Sequence, residues 1–162
     1  MIVIADTTPL NYLVLIGQVE VLPELYGRVL IPTAVWQEFQ RPQTPEVVRA
    51  WIARIPGWLE VRQVERGWEP LLGSLGDGEL DAIALAEELH ADWIILDDHA
   101  ARRLASRRNL AVIGTLGVLA EAAERGLVDF PEAIARLKQT SFFVSPEVVA
   151  PLLKRYPGAK KP

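Results

Sequence analysis

Hydrophobic and polar positions along the chain fall into short apolar runs, each closed by a turn signal and followed by a stretch with helical spacing. Ile2 to Ala5 is apolar and β-branched and ends in Asp6-Thr7-Thr8-Pro9. That order predicts a strand, a turn and a helix opened by Pro9 and capped by the acid or a threonine. Arg28 to Ile31 repeats the pattern, a strand stopped by Pro32 and a helix from Thr33 to Phe39. Gln43 to Ile55 predicts a further helix with Pro45 near its start, and Trp58 to Val64 alternates as a strand does. The stretch up to Gly78 is left unassigned. Glu79 to His90 is an Ala-, Leu- and Glu-rich helix opened by Gly76-Asp77-Gly78, and Trp93 to Leu96 is an apolar strand ending in Asp97-Asp98. A helix over Ala100 to Arg107 and a strand over Ala111 to Ile113 follow, and then helices broken at Gly126, at Pro131 and around Ser145-Pro146.

Short apolar strands alternating with helices imply βαβ units and a mostly parallel sheet covered on both faces, an α/β fold of three layers. Ligands in such folds bind beyond the carboxyl ends of the strands. Asp6 directly follows the first strand and Asp97-Asp98 the fourth, so these acids belong on one edge of the sheet. Glu38 falls late in the helix after the second strand. Glu79 and Asp81 fall in the first turn of a helix, where an acid also favours the helix dipole and caps free N–H groups. Two helical residues rotate by roughly 200°, so only one of this pair can point squarely at a common centre. Asp81 adjoins the inward stripe of Ala82, Leu85, Ala86 and Leu89, where an unpaired charge is costly, and is expected to be the nearer.

With 162 residues, half of them apolar, the chain has enough material for the core of one domain. It contains no Cys, which excludes disulfides, thiolate metal sites and cysteine nucleophiles. The opening MIVIAD has no basic leader and no apolar run approaches membrane-spanning length, so a soluble, cytoplasmic protein is expected. A net charge of −4 argues against a broad basic grip on nucleic acid. Acids gathered in one metal site would produce the same balance. Basic residues cluster at Arg102, Arg103, Arg107 and Arg108, and again at Lys154, Arg155, Lys160 and Lys161.

Crowded carboxylates repel and raise one another's pKa, which costs stability unless a cation joins them. Oxygen ligands without Cys or a His pair select Mg²⁺, or Mn²⁺ in its place, rather than zinc. One or two such ions orient a water and offset charge on a phosphodiester, so hydrolysis of that bond suits the site best. Arg102 and Arg103 either hold substrate phosphate or pair with acids a helical turn away. His99 lacks a partner for base catalysis. Trp36, Trp51 and Trp93 fall on apolar stripes and read as core rather than as stacking platforms.

The segments IADTTPLNYL, VLIPTAVWQEF, GDGELDAIALAEELHADWIILDDHAARRLA and LAVIGTLGVLAEAAERGLV, in this order, resemble the PIN-domain family, and within it a VapC-like branch. The resemblance is clearest over residues 2–128, leaving 129–162 as C-terminal helices and a basic tail of one PIN-like domain, residues 1–162. It implies a five-stranded parallel sheet and catalytic acids at Asp6, Glu38, Asp81 and Asp98, with Asp6, Asp81 and Asp98 as metal ligands. Thr8 falls where the family often has a small hydroxyl residue, and Glu79, Asp97 and Arg102 are accessory positions. It further implies a Mg²⁺-dependent endoribonuclease that cuts RNA, often a homodimer, acting as a toxin silenced by a small antitoxin. The Leu- and Val-rich helices after Thr115, with Val148, Val149, Leu152 and Leu153, close the core, make a dimer or receive such a partner. Two other functions compete: a PIN-like fold kept as an idle binding module, and an aspartate-based phosphatase or phosphoacceptor. The last needs a second acid where Thr8 stands, or an acid pair at the first strand where Ala5 stands, and a lysine, whereas no Lys precedes Lys138.

Overall fold

A computed structural model describes residues 1–65 and 76–158. Lys160 and Lys161 of the basic tail, and most of the unassigned stretch before Gly78, lie outside the described residues. Five parallel strands form one sheet: β1 (Val3–Ala5), β2 (Val29–Pro32), β3 (Leu59–Arg62), β4 (Trp93–Ile95) and β5 (Val112–Ile113), in the order β3-β2-β1-β4-β5. The α/β expectation holds, and each strand lies within the run that its apolar residues marked, except that β2 includes Pro32, which was expected to stop it.

Period-two alternation divides the sheet between two cores. Val3, Ala5, Val29, Ile31 and Ile95 face a larger core with helices α1 (Thr7–Leu15), α2 (Val21–Tyr26), α4 (Glu46–Ala53), α7 (Thr115–Glu124) and α8 (Phe130–Lys138). Ile4, Leu30, Ile94 and Leu96 face a smaller one, closed by α5 (Asp77–Glu88) and α6 (His99–Arg107). Helix α3 (Thr33–Glu38) packs beside α5, and α9 (Pro146–Arg155) adds Val149 to the larger core. This is the expected α/β/α sandwich. Among the described residues, no helix is long and apolar enough to cross a membrane.

Four details differ from the sequence reading, each for a local reason. Helix α2 was not foreseen, because Pro23 interrupts a run of only six residues. Helix α1 starts at Thr7, not Pro9, and Asp6 stands at its N-cap position without a side-chain capping bond. Pro131 does not break a helix: it occupies the first turn of α8, where its missing N–H costs nothing. Trp36 is 38% exposed on α3 rather than core, whereas Trp51 and Trp93 do pack against the larger core.

Ile83 is fully buried between α5 and the sheet. Ile83→Ala is expected to lower unfolding stability by about 2–5 kcal/mol in urea denaturation, with Val148→Ala, at a half-exposed site, close to neutral. Equal effects at both positions would contradict the two-core packing.

Candidate active site

The acids converge where the sheet changes direction. β1 and β4 are neighbours, with Ala5 opposite Ile95, and the Asp6 backbone N–H donates to the Ile95 carbonyl at 3.0 Å. From β1 the chain builds outward through β2 and β3, and from β4 through β5, so Asp6 and Asp97-Asp98 occupy the switch-point crevice. Strand-end geometry therefore delivers both acids to the same place.

Glu38 comes to them from the last residue of α3. Its carboxylate accepts from the Thr7 hydroxyl at 2.5 Å and from the Gly78 N–H at 3.1 Å. A Cβ on residue 78 would collide with that carboxylate, so glycine is what lets the start of α5 approach α3. Of the two adjacent threonines it is Thr7 rather than Thr8 whose hydroxyl touches Glu38. Thr8 lines a cavity of about 770 Å³ together with Glu79, Asp97, Asp98 and Arg102.

Burial separates the two strand-end acids. Asp6 is 3% exposed and its Oδ1 has no hydrogen-bond partner. Burial pushes its pKa up to about 8; the Thr7 N–H opposes this, and repulsion from Glu79, Glu38 and Asp97 adds to it. Capping explains nothing at Asp6. It does operate at the exposed Asp98, whose carboxylate accepts from the Ala101 N–H at 2.9 Å and caps α6. Asp97 is held by α7, accepting from the Thr115 N–H at 2.8 Å and its hydroxyl at 2.6 Å. Burial raises the Asp97 pKa, while both Thr115 bonds and the Arg102 charge pull it back.

Glu79 and Asp81 exchange the places expected of them. Glu79 is raised to about 7, by burial first, then by repulsion from Asp98 and Glu38 and by a hydrogen bond with Asp98. Asp81 is raised by burial, Asp77 and Glu88, and it lines a separate hollow of about 250 Å³ with Glu38, Arg41 and Asp77. The apolar stripe beside Asp81 lies against the sheet, while Asp81 itself lines the hollow next to α3 and not the cavity that holds Glu79 and Asp98. Glu79 is thus the α5 acid beside Asp6 and Asp98.

Arg102 donates to the Leu96 carbonyl at 3.3 Å, and its charge acts on Asp97. A Cβ at Gly114 would strike both side chains, so a second glycine keeps this contact open. Sequence reasoning missed Thr7, Gly78, Gly114 and Thr115. Thr115 was recoverable, since it follows β5 on the same sheet edge as the acids.

Among the described residues, no three Asp, Glu or His side chains are drawn into a finished metal cage. The donor set nevertheless fits a hard cation: the functional groups are carboxylates, and the buried Asp6 Oδ1 lacks the partner that burial demands.

Beyond this geometry, the described profile of the PIN-domain family matches residues 2–157, and the chain belongs to that family. Its members are typically nucleases, enzymes that hydrolyse phosphodiester bonds. No curated protein matches the chain.

Asp6 and Glu79 hold protons in the fold that they lose on unfolding, since both native pKa values are raised. Their contribution is therefore complete below the ordinary carboxylate range and disappears as pH rises through about 7 and 8. In EDTA, Tm is expected to fall between pH 5.5 and 8.5, and to fall less in Asp6→Asn. A flat or rising Tm in the unsubstituted chain would contradict the crowding of these acids.

Proposed function

We propose that this chain is a Mg²⁺-dependent endoribonuclease, with Mn²⁺ able to substitute, and that it is the toxin of a toxin–antitoxin pair. The observation that carries the nuclease reading is Asp6: a buried carboxylate at the switch point, one oxygen unpaired, crowded by Glu38, Glu79 and Asp97. Such an arrangement costs stability in a protein that never offsets it with a cation. The role of toxin, the small antitoxin, the homodimer and a cytoplasmic location are supported by the resemblance of the sequence segments to VapC-like proteins.

In this reading Asp6, Glu79 and Asp98 hold the ion, and Asp81 stands outside its immediate ligands. When bound, the ion lowers the pKa of a coordinated water and offsets charge on the phosphodiester. The chain's own groups position and balance. Thr7 and Gly78 fix the Glu38 carboxylate in one orientation, where it accepts a proton from the attacking water. Thr115 and Arg102 fix Asp97. The Arg102 guanidinium, lining the same cavity as the acids, supplies positive charge against the scissile phosphate, which the carboxylates alone would repel.

Cleavage of a labelled single-stranded RNA with Mg²⁺ or Mn²⁺ tests this. Asp6→Asn and Glu79→Gln are each expected to lower the rate by about 100-fold or more, a loss of several kcal/mol of transition-state stabilisation. Asp81→Asn should cost far less. The ranking of the two α5 acids is wrong if Asp81→Asn abolishes cleavage and Glu79→Gln spares it. Mn²⁺ should raise Tm, and more so at pH 8.5 than at pH 5.5, because the ion competes with protons for the same oxygens. Neither cleavage nor a thermal shift would favour the idle-module reading.

A further inference from the structure

Two unlike walls flank the acids, and of their residues only Arg102 is used in the chemistry above. One wall is α6. Its residues His99, Arg102, Arg103, Ser106 and Arg107 recur in the i, i+3, i+4, i+7, i+8 pattern of a single helical face. Together they line a hollow of about 450 Å³ with, among the described residues, no carboxylate in its lining. Arg103 and Arg107 are exposed, and the ion pairs among the described residues involve neither of them. His99 and Arg102 also line the larger cavity that holds Glu79, Asp97 and Asp98, so the cationic face runs directly into the acids.

The other wall is aromatic and apolar. Phe142 is spent on packing, its ring 5.1 Å from that of Tyr12 in an edge-to-face pair. Phe143, the next residue, is 80% exposed and lines the acid-bearing cavity with Val148, itself 51% exposed, and Leu152. The cavity's 770 Å³ falls within the roughly 300–1,000 Å³ of ligand clefts.

We propose that this groove is the path of a single-stranded RNA, with backbone phosphates on Arg103 and Arg107 and an unpaired base stacked on Phe143. The proposal rests on the nuclease reading and adds to it three residues that grip substrate away from the cut bond. Charge complementarity selects the occupant. A chain of net charge −4 that nevertheless presents, in the hollow adjoining its acids, guanidinium groups with no ion pair among the described residues has a local site for an anionic polymer, and guanidinium groups suit phosphate. An exposed ring in the same cavity accepts the face of any base that pairing does not conceal. A duplex cannot offer that face.

The test measures binding, not cleavage. A fluorescent oligouridine and a duplex of equal length are titrated against the full chain in EDTA by anisotropy. Phe143→Ala should weaken binding of the single strand roughly ten-fold or more, Phe143→Trp should restore it, and duplex binding should not change. Arg103→Gln with Arg107→Gln should flatten the salt dependence of single-strand binding by about 0.7 per arginine in the log–log slope. The exposure of all three side chains keeps these variants folded. Single-strand affinity unaltered by Phe143→Ala overturns the proposal. So does a Phe143→Ala chain that binds RNA normally but changes its sedimentation, which would give this face to a second copy. Because no metal is present, loss of these effects and loss of RNA cleavage in Mg²⁺ are separate results: the first removes the groove, the second the nuclease.

Discussion

The structure turns on one buried carboxylate with an unpaired oxygen. Asp6 ends the central strand of the sheet, is almost wholly removed from water and leaves one oxygen unsatisfied. Elsewhere in the crevice three acids are anchored by neutral donors: Glu38 by Thr7 and Gly78, Asp97 by Thr115, Asp98 by the start of α6. These anchors hold negative charge near Asp6 against its own repulsion. The resulting tension is carried by the two packed cores, which fix β1 from both faces.

That tension also gives Gly78 and Gly114 their purpose. Each stands where a side chain would strike a site residue: Glu38 in one case, Arg102 and Asp97 in the other. Neither glycine contributes chemistry. Both allow backbone to approach a charged group closely enough to orient it, and α5 and α7 begin at those points. The helices that cover the two faces of the sheet thus bring the flanking acids to its edge.

Much of this was legible in the sequence. Apolar runs marked every strand, because a parallel strand buried on both faces has little room for polar residues. The strand-end rule then gave Asp6 and the Asp97-Asp98 pair a common edge without reference to any relative. The order of Glu79 and Asp81 was not legible. It depends on where α5 starts and on its rotation over the sheet, and a buried stripe running through Ala82 to Ala86 leaves that angle open. Thr7 was obscured by Thr8, and α2 by its proline. Phe143 carries no sequence signal of its own, since its exposure arises only because Phe142 takes the place against Tyr12.

The doubled acid after β4 acquires meaning from the alternation of the strand before it. Ile95 faces the α7 side and Ile94 and Leu96 the α5–α6 side, and the same parity carries past the strand: Asp97 meets Thr115 of α7, and Asp98 meets Glu79 of α5. Two consecutive carboxylates therefore serve opposite layers of the sandwich. Loss or gain of one residue between Trp93 and Asp97 would transpose them, giving each layer an acid arriving from the wrong direction. The length of this short segment is accordingly under a stricter constraint than the identity of any apolar residue within it.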